Sequence, residues 1–448
     1  MSEKEKNKNV VDNEETQFLK KNISTSPPNE NDDLNEICAK ILNLSDGLSN
    51  FSNLAITYYF KDSLKLTPSQ SALFQSILAF PNILNPFFGF ISDIYLFFGY
   101  KRKGYLLFNA IIIFITWLIL SSFNLSVELT LLILLIKSIS KTFLNSCSNA
   151  VWVEISKKRS KNDKKLENYN SSIIYTNIGT IICSLTRGIA LEFFSIKKMF
   201  LISAMLSFLN IIAAAMYKEI KNKIETNKKN NGNKINHYKQ FYDLIRQREI
   251  VLLLIYMLIM TTTPSYYESS FYYLTDEKGF TKIDFSNLTI ILMFLFFINS
   301  IINKRYLNSF KPKNVIISTT IIAFLFSSIY NLWIAFDMQS RIIIFIGISL
   351  YISFKALSVK PIFNLAFLVC PKGYEGSIMG LFYSLRDFGD FLASLFGSWL
   401  SFVLDIQGNK YTTFNKMIYI INFWSLLPIV FISIINDKSI SKIRDNKD

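Results

Sequence analysis

The sequence predicts an all-α membrane protein with twelve transmembrane helices, arranged as two pseudo-symmetric halves of six. Three observations predict this fold class. Half of the 448 residues are hydrophobic. Apolar segments of about twenty residues, long enough to cross a bilayer, recur along the chain. One long polar stretch then divides these segments into two groups of six. A soluble chain of this length would not repeat such long apolar segments.

The first half of the chain supplies a polar tail and six apolar segments. Residues 1–36 are polar and charged, so we expect a disordered cytoplasmic tail that cannot bury enough apolar surface to fold. The apolar segments follow at about 37–60, 68–92, 104–123, 127–153, 171–194 and 198–217. Together they predict an N-terminal six-helix half over residues 37–217.

The second half repeats this organisation after a polar interruption. Residues 218–249 are rich in Lys and Asn, and we expect them to form a basic cytoplasmic linker. Six further apolar segments lie at about 250–273, 287–303, 314–336, 341–369, 376–403 and 414–436. They predict a C-terminal six-helix half over residues 250–436, followed by a second cytoplasmic tail at 437–448.

The basic residues predict the orientation of the chain. The formal net charge is +15, and Lys and Arg are concentrated in the linker and in the loops after the second, fourth and eighth segments. The positive-inside rule therefore predicts that these loops and both termini are cytoplasmic. A basic chain can also bind nucleic acid, but the concentration of cations in loops that flank membrane segments argues against that partner.

The sequence has no pattern typical of an enzyme, a metal site or a disulfide framework. The four cysteines, Cys38, Cys147, Cys183 and Cys370, lie far apart in the chain, and His237 is the single histidine. We find no nucleotide-binding loop, no nucleophile motif and no clustered metal ligands. We therefore expect no enzymatic activity, no cofactor and no metal.

Charged residues inside the apolar segments indicate where a binding site lies. An ionisable group near the bilayer centre costs at least ~2.5–3.5 kcal/mol unless it faces protein or water. The third, sixth, ninth and twelfth segments have no charge in their interiors. The first, fourth, fifth, seventh, tenth and eleventh do, and these helices correspond across the two halves. Because repeated halves enclose a site at their interface, we expect these charges to line a central cavity.

The fourth segment carries the most regular polar pattern. Lys137, Lys141, Asn145 and Asn149 recur every four residues, which places them on one face of a helix. We expect Lys137, Lys141 and Lys355 to face the central cavity from both halves. The full set of predicted substrate-binding residues is Asp46, Asn50, Lys137, Lys141, Asn145, Asn149, Arg187, Glu268, Lys355, Arg386, Asp387 and Asp390.

The charge balance of this set indicates the class of substrate. Together with Lys360, the basic residues outnumber the acidic ones, which favours a ligand that carries carboxylates. The alternative is that the charges pair with one another as structural bridges. Arg386 and Asp390, four residues apart on one helix, are the clearest example of such a pair.

A second constellation lies between the second and third segments. Gly89 and Asp93 form a Gly-x-x-x-Asp step, and Lys101 and Arg102 follow after an aromatic turn. Gly89 permits two helices to approach closely, while Asp93 at a helix end can pair with either cation. We expect these four residues to form a gate at the cytoplasmic end. The alternative is an ordinary basic loop beside the membrane.

Three motifs resemble the folate-biopterin transporter family of the major facilitator superfamily. The first comprises Pro81, Pro86, Gly89, Ser92, Asp93, Phe98, Gly99, Tyr100, Lys101 and Arg102. The second is Pro264, Ser265 and Glu268 in the seventh segment, and the third is Cys370, Pro371, Lys372, Gly373 and Glu375. Glu154 in the fourth segment also fits. The sequence departs from the family at Asn82, Asn85, Asn145, Asn149 and Asp387.

The resemblance implies the major facilitator fold, with the first, fourth, seventh and tenth helices around a central cavity. It also implies secondary active transport of a folate-like or pterin-like anion by alternating access, with proton coupling. We expect a monomer that contacts membrane lipid, in the plasma membrane rather than in an organelle. Two alternatives remain: transport of a different small organic anion, because several substrate-facing positions depart from the family, or a receptor or scaffold without transport.

Overall fold

The computed structural model describes residues 30–159, 165–219, 246–305, 310–338, 340–369, 375–406 and 411–434. Within these ranges the chain is almost entirely helical, and the β-structure is limited to an isolated bridge between Phe97 and Tyr100. The predicted C-terminal tail lies outside the described residues, as do most of the predicted N-terminal tail and linker.

Six helical segments, labelled α1 to α6, form the first half. α1 comprises the helices Glu30–Leu48 and Phe51–Tyr58 and a π-helical turn Tyr59–Ser63. α2 comprises Pro68–Ala79, a 3-10 turn Phe80–Leu84 and Asn85–Ile94. The others are α3 (Lys103–Ser122), α4 (Val127–Arg159), α5 (Lys165–Phe193) and α6 (Ile196–Met216). α1 therefore begins inside the stretch expected to be a disordered tail.

Six further segments, α7 to α12, form the second half. α7 comprises Arg248–Thr261 and Tyr267–Asp276, and α12 comprises Phe414–Trp424, Leu427–Val430 and a 3-10 turn Ile432–Ile434. Between them lie α8 (Lys282–Arg305), α9 (Pro312–Ala335), α10 (Arg341–Val369) and α11 (Glu375–Val403). The predicted all-α fold of twelve segments in two halves is confirmed.

Seven of the described helices are long and apolar enough to cross a membrane by length and composition: those of α2, α3, α6, α8, α9, α10 and α12. The remaining segments are α1, α4, α5, α7 and α11. Each of these is interrupted or carries charged side chains in its interior, which lowers its mean hydropathy. Polar groups are tolerated at membrane depth where they face protein or a cavity rather than lipid.

α1 and α7 occupy corresponding places in the two halves, and both are interrupted near the middle. In α1 the interruption lies at Ser49 and Asn50, where the Ser49 hydroxyl donates to the Asp46 main-chain oxygen at 2.6 Å and competes with the helical hydrogen bonds. In α7 it spans residues 262–266 and contains Pro264, which has no N–H to donate and disfavours helix at the preceding residue. Each half therefore contains a broken helix.

Glycines bring neighbouring helices into main-chain contact close to both interruptions. A Cβ atom on Gly47 of α1 would overlap the main-chain oxygen of Thr176 on α5. In the other half, a Cβ atom on Gly397 of α11 would overlap the main-chain oxygen of Ser265 in α7. The Ser265 N–H also donates to the Ala393 main-chain oxygen at 2.8 Å. Small residues thus hold each broken helix against its neighbour.

The two halves meet through α2 packed against α11 and α5 packed against α8. We call the face where α1 begins and α12 ends the terminus side, and the other face the opposite side. Several contacts join the halves towards the opposite side. The Ser71 hydroxyl bonds the Tyr272 hydroxyl at 2.7 Å, Lys282 Nζ donates to the Leu191 main-chain oxygen at 2.9 Å, and Lys61 pairs with Asp276.

Candidate functional site: a cavity between the two halves

A cavity of about 420 Å³ lies between the two halves, next to both helix interruptions. α1 contributes Asn53, Ile56 and Thr57; α2 contributes Ala72 and Gln75; α7 contributes Ser265, Tyr267 and Glu268; and α11 contributes Ser394. This lining combines apolar surface with a few polar groups, as is typical of small-molecule sites. Position at the interface of repeated halves, beside broken helices, is also typical of transporter sites.

Glu268 is the charged residue among the side chains that line this cavity. It is 6% exposed, and its Oε2 atom is buried without a hydrogen-bond partner in the described part of the protein. It lies in the first turn of the helix Tyr267–Asp276, where the Tyr267 N–H donates to the Ser265 hydroxyl at 3.3 Å. The adjacent Tyr267 is 55% exposed and presents its ring to the cavity.

The predicted residues Asp46, Lys141 and Asn145 do come together, in a polar cluster beside the interruption of α1. Lys141 Nζ lies 3.5 Å from Asp46 Oδ1 and donates to the Ser49 hydroxyl at 2.7 Å. Asn145 Nδ2 donates to the same Asp46 oxygen at 2.9 Å. The side chains of Asp46 and Lys141 are 27% and 30% exposed. We call Asp46, Ser49, Lys141 and Asn145 the α1–α4 cluster.

Lys137 is absent from the lining of the cavity between the halves, as are Lys141 and Lys355. Its Nζ atom lies 4.7 Å from the ring centroid of Trp117 on α3, within the N-terminal half. The surrounding pocket is lined by residues of α3 and α6 and by the whole α1–α4 cluster, so Lys137 and Lys141 line the same pocket. This pocket measures about 20 Å³, roughly the space of one water molecule. Within this pocket Lys137 lies over Trp117 on α3, whereas Lys141 contacts Asp46 and Ser49 on α1.

Asn50 and Arg187 form a second link between α1 and α5. Arg187 Nη1 lies 3.5 Å from the Asn50 main-chain oxygen, and its Nη2 donates to the Thr289 hydroxyl on α8. Asn50 Nδ2 donates to the Thr180 hydroxyl at 3.1 Å, and its Oδ1 accepts from Asn53 at 3.2 Å. Arg187 thus joins the two halves, and Asn50 connects it to the cavity lining.

The predicted residues on α10 and α11 form another charged group. Arg386 bonds Asp387 through Nη2 at 2.7 Å and through Nε at 3.1 Å. The favoured structural pair was Arg386 with Asp390; the hydrogen-bonded partner is instead the adjacent residue. Asp390 is exposed and lies within electrostatic reach of Lys355 and Arg386. Asn149, at the end of the predicted stripe on α4, is exposed and is absent from both the α1–α4 cluster and the cavity lining.

The predicted gate is compact at the terminus side. Lys101 Nζ donates to Glu154 Oε1 at 3.3 Å, and Arg102 Nη2 lies 3.5 Å from the same atom. Arg102 is 3% exposed and also donates to the Ser92 hydroxyl. Gly89 packs against Ser146 of α4, so close that a Cβ atom would lie 3.2 Å from its hydroxyl. The side chain of Asp93 lies outside the described residues.

Several residues that the sequence analysis did not single out belong to these sites. Tyr267, Gln75 and Thr57 line the cavity. The carboxylate of Glu219 accepts hydrogen bonds from the main-chain N–H groups at the start of α3, including that of Lys103 at 2.8 Å. Polarity alone does not separate Tyr267 and Gln75 from other membrane residues. Glu219 lies in the stretch expected to be linker, so nothing in the sequence pattern pointed to it.

Curated proteins resemble this chain over most of its length. Folate transporter 2 of Plasmodium falciparum is 24% identical over 428 residues, covering 93% of this chain and 91% of that protein. Folate-biopterin transporter of Synechocystis is 25% identical over 398 residues, covering 87% and 79%. Probable folate-biopterin transporter 7 of Arabidopsis thaliana is 22% identical over 418 residues, covering 90% and 93%. These relatives are transporters, not enzymes.

Solved structures of transporters share the fold. The nucleoside transporter NupG superposes with a TM-score of 0.69 at 15% identity, covering 90% of this chain and 98% of that one. A D-xylose-proton symporter superposes with a TM-score of 0.67 at 11% identity, covering 90% and 96%. The model of the BT1 family matches residues 46–448. The chain therefore belongs to the BT1 family, the folate-biopterin transporter family, and is an integral membrane transporter.

Proposed function

We propose that this protein is a secondary active transporter of a folate-like or pterin-like anion. The observation that carries the proposal is the cavity between the halves, which at about 420 Å³ falls in the size range of small-molecule sites. Its aromatic and amide lining suits a flat heterocycle with hydrogen-bonding edges. Relatives that carry the names folate transporter and folate-biopterin transporter support this substrate class.

In this proposal, two groups of residues bind different parts of the substrate. The heterocycle occupies the cavity beside Tyr267, and the carboxylates of a folate tail approach Lys141 of the α1–α4 cluster. Asp46 and Asn53 are seven residues apart along α1, or roughly 10 Å at 1.5 Å per residue. An elongated ligand can span that distance. A pterin without a tail would use the cavity alone, so its binding would not depend on Lys141.

The way the halves meet supports a proposal of alternating access. Lys61 with Asp276 and Ser71 with Tyr272 are cross-half contacts towards the opposite side. We propose that the halves rock about the cavity, and that these contacts break when the opposite side opens. Gly89, Asp93, Lys101 and Arg102 would act at the other end of the same movement, where Glu154 bonds the two cations.

Proton coupling is proposed to act through Asp46. Its carboxylate holds Lys141 at 3.5 Å and accepts from Asn145 at 2.9 Å. Protonation of Asp46 would remove its charge and weaken its attraction for Lys141, leaving that ammonium for a substrate carboxylate. Deprotonation would restore the pair and release the substrate. Proton binding and anion binding would then favour each other.

We further propose that the terminus side is cytoplasmic and that the protein acts as a monomer in the plasma membrane. The basic loops at the terminus side support this orientation through the positive-inside rule. No metal or cofactor is part of the proposal. Arg187, Lys355, Arg386, Asp387 and Asp390 are proposed to stabilise the two halves around the site, and Asn50 to support Asn53.

Radiolabelled uptake in a host without its own folate or pterin uptake tests this function. We expect saturable uptake of folate and of a pterin, and faster uptake at an acidic external pH. Lys141→Met should weaken folate binding roughly ten- to a hundred-fold, the loss of a hydrogen bond to a charged group, and spare the pterin. Glu128→Gln, at an exposed position in the first turn of α4, is the control.

The uptake panel distinguishes a folate transporter from the two alternatives. Uptake of other organic anions with neither folate nor pterin would favour a shifted substrate. Binding without uptake would favour a receptor. Equal losses of folate and pterin binding in Lys141→Met would contradict the proposed division of the substrate.

A further inference from the structure

We propose that Glu268 selects the substrate by its heterocycle, accepting two parallel hydrogen bonds from an N–H and an adjacent amino group on one ring edge. The ligand class is a 2-amino-4-oxopteridine. This inference rests on the proposed function and deepens it. The cavity then recognises the substrate by the hydrogen-bond donors on one edge of its ring, rather than by the carboxylates of its tail.

The first support is the unsatisfied state of Glu268. Its side chain is 6% exposed and lines the cavity, and its Oε2 atom is buried with no hydrogen-bond partner. No ion pair in the described part of the chain involves it. A buried carboxylate without partners is costly in a protein, and most buried polar groups are paired. A ligand donor at this position would remove that cost.

The second support is the chemistry that a carboxylate can recognise. An ionised carboxylate has two acceptor oxygens and no donor. It pairs best with two parallel N–H groups, as in the fork of an arginine side chain. The N3–H and 2-amino groups of a pterin ring present the same pair of donors on one edge. Folate contains the same ring edge, so both proposed substrates satisfy Glu268 in the same way.

The third support is the local placement of the carboxylate. Glu268 occupies the first turn of the helix Tyr267–Asp276, which holds its carboxyl group beside the cavity. Tyr267 precedes it and is 55% exposed, so its ring can stack on a flat heterocycle. The amides of Gln75 and Asn53 line the same cavity and can reach the remaining ring atoms. An aromatic face and an acceptor pair therefore stand next to each other.

The test compares pterin with lumazine, the analogue in which an oxygen replaces the 2-amino group. Lumazine removes one donor and brings an oxygen towards the carboxylate. Purified full-length protein in lipid nanodiscs is titrated with each compound by calorimetry. We expect the wild type to bind pterin roughly ten- to a hundred-fold more tightly, because charged hydrogen bonds have that weight.

A variant then assigns the preference to Glu268. Glu268→Gln has one acceptor oxygen and one donor NH₂ group, which suits lumazine as well as pterin. The ratio of the two affinities should fall at least ten-fold, while Glu128→Gln keeps the wild-type ratio. If Glu268→Gln does not fold, the ratio of pterin to lumazine affinity in the wild type still tests the inference.

The outcomes separate the inference from the proposed function. Equal binding of pterin and lumazine by the wild type overturns the inference and leaves folate transport intact. A Glu268→Gln protein that keeps the ratio but loses proton-driven accumulation also overturns it, and assigns Glu268 to proton transfer alone. Absence of binding by folate, pterin and lumazine overturns the proposed function together with the inference.

Discussion

Lys61 at the end of α1 forms an ion pair with Asp276 at the end of α7, so one side-chain contact joins the two halves of the protein. Both side chains are partly buried, at 15% and 27% exposure. Asp276 also accepts a hydrogen bond from the Tyr411 hydroxyl at 2.6 Å, which fixes its position. In the proposed alternating-access movement, this pair stabilises the arrangement in which the opposite side is closed.

Removing this pair should open the opposite side more often. In Lys61→Met the ion pair is lost, which we expect to cost ~0.4–1 kcal/mol of the closed state. A membrane-impermeant thiol reagent is then added from the opposite side to protein that carries Asn53→Cys. Its labelling rate should be about two- to five-fold higher with Lys61→Met than without it, the ratio that corresponds to this free energy. Lys278→Met is the matched control, because Lys278 pairs with Asp337 inside one half. Equal labelling rates in the two variants would contradict a role for the Lys61–Asp276 pair in closing the opposite side.

Gly397→Ala should destabilise the protein. The added methyl group would overlap the main-chain oxygen of Ser265 and push α11 away from the interrupted part of α7. Overpacking of this kind costs about 1–3 kcal/mol, which thermal unfolding in detergent would detect. Gly380→Ala on the same helix has no heavy atom within 4 Å of the added carbon and should be neutral or slightly stabilising. Similar unfolding temperatures would contradict the close packing.

Lys137→Met should leave substrate affinity within about two-fold of the wild type. Lys137 lies over Trp117 on α3, whereas Lys141, which lines the same pocket, lies next to Asp46 at the interruption of α1. Among the described residues, no carboxylate forms an ion pair with it, so its replacement leaves no buried acid behind. Equilibrium binding would measure the affinity of the variant, and thermal unfolding would measure its stability. A ten-fold loss of affinity would return Lys137 to the substrate site.

Glu154→Gln should slow turnover and leave affinity at the opposite side unchanged. The change weakens the contacts of Glu154 with Lys101 at 3.3 Å and Arg102 at 3.5 Å, which hold the terminus-side gate. We predict the same result for Asp93→Ala. Initial transport rates report on the conformational change, and equilibrium binding reports on substrate recognition. Both are measured in parallel for the control variant Glu128→Gln. Unchanged turnover in both variants would contradict the gate.

An epitope tag placed between residues 220 and 245 should be reached by antibody only after the membrane is permeabilised. The physical reason is the basic character of the predicted linker, which favours the cytoplasmic face. A tag in the short loop between α3 and α4, at Asn124, is the matched control and should be labelled on intact cells. The reverse pattern would invert the orientation.

The helices were predictable because membrane spans demand long apolar segments. The predicted tenth segment, 341–369, matches α10 (Arg341–Val369) to the residue. The start of α1 at Glu30 was not predicted, because its first turn is polar and resembles the tail. The interruption of α7 had a visible cause in Pro264. The one in α1 depends on Ser49 and Asn50, which also occur inside continuous helices.

The substrate site was predicted less well than the fold, because helical spacing gives direction only approximately. Glu268 was found from its charge in an apolar segment, and it lines the cavity. Lys137 had the same signal, yet it turns towards Trp117. The rotation of each helix about its own axis decides which of these side chains faces the cavity. That rotation is set by packing contacts far apart in sequence, which a single chain read in order does not reveal.

The interruptions in α1 and α7 also bear on how the transporter tolerates mutation. A substitution replaces a side chain, but it leaves the amide N–H groups at the start of Phe51–Tyr58 and Tyr267–Asp276 in place. A binding site built partly from such groups keeps them when neighbouring side chains are substituted. Inhibitors that bond these amides would therefore leave the cell fewer single-residue routes to resistance than inhibitors that depend on side chains.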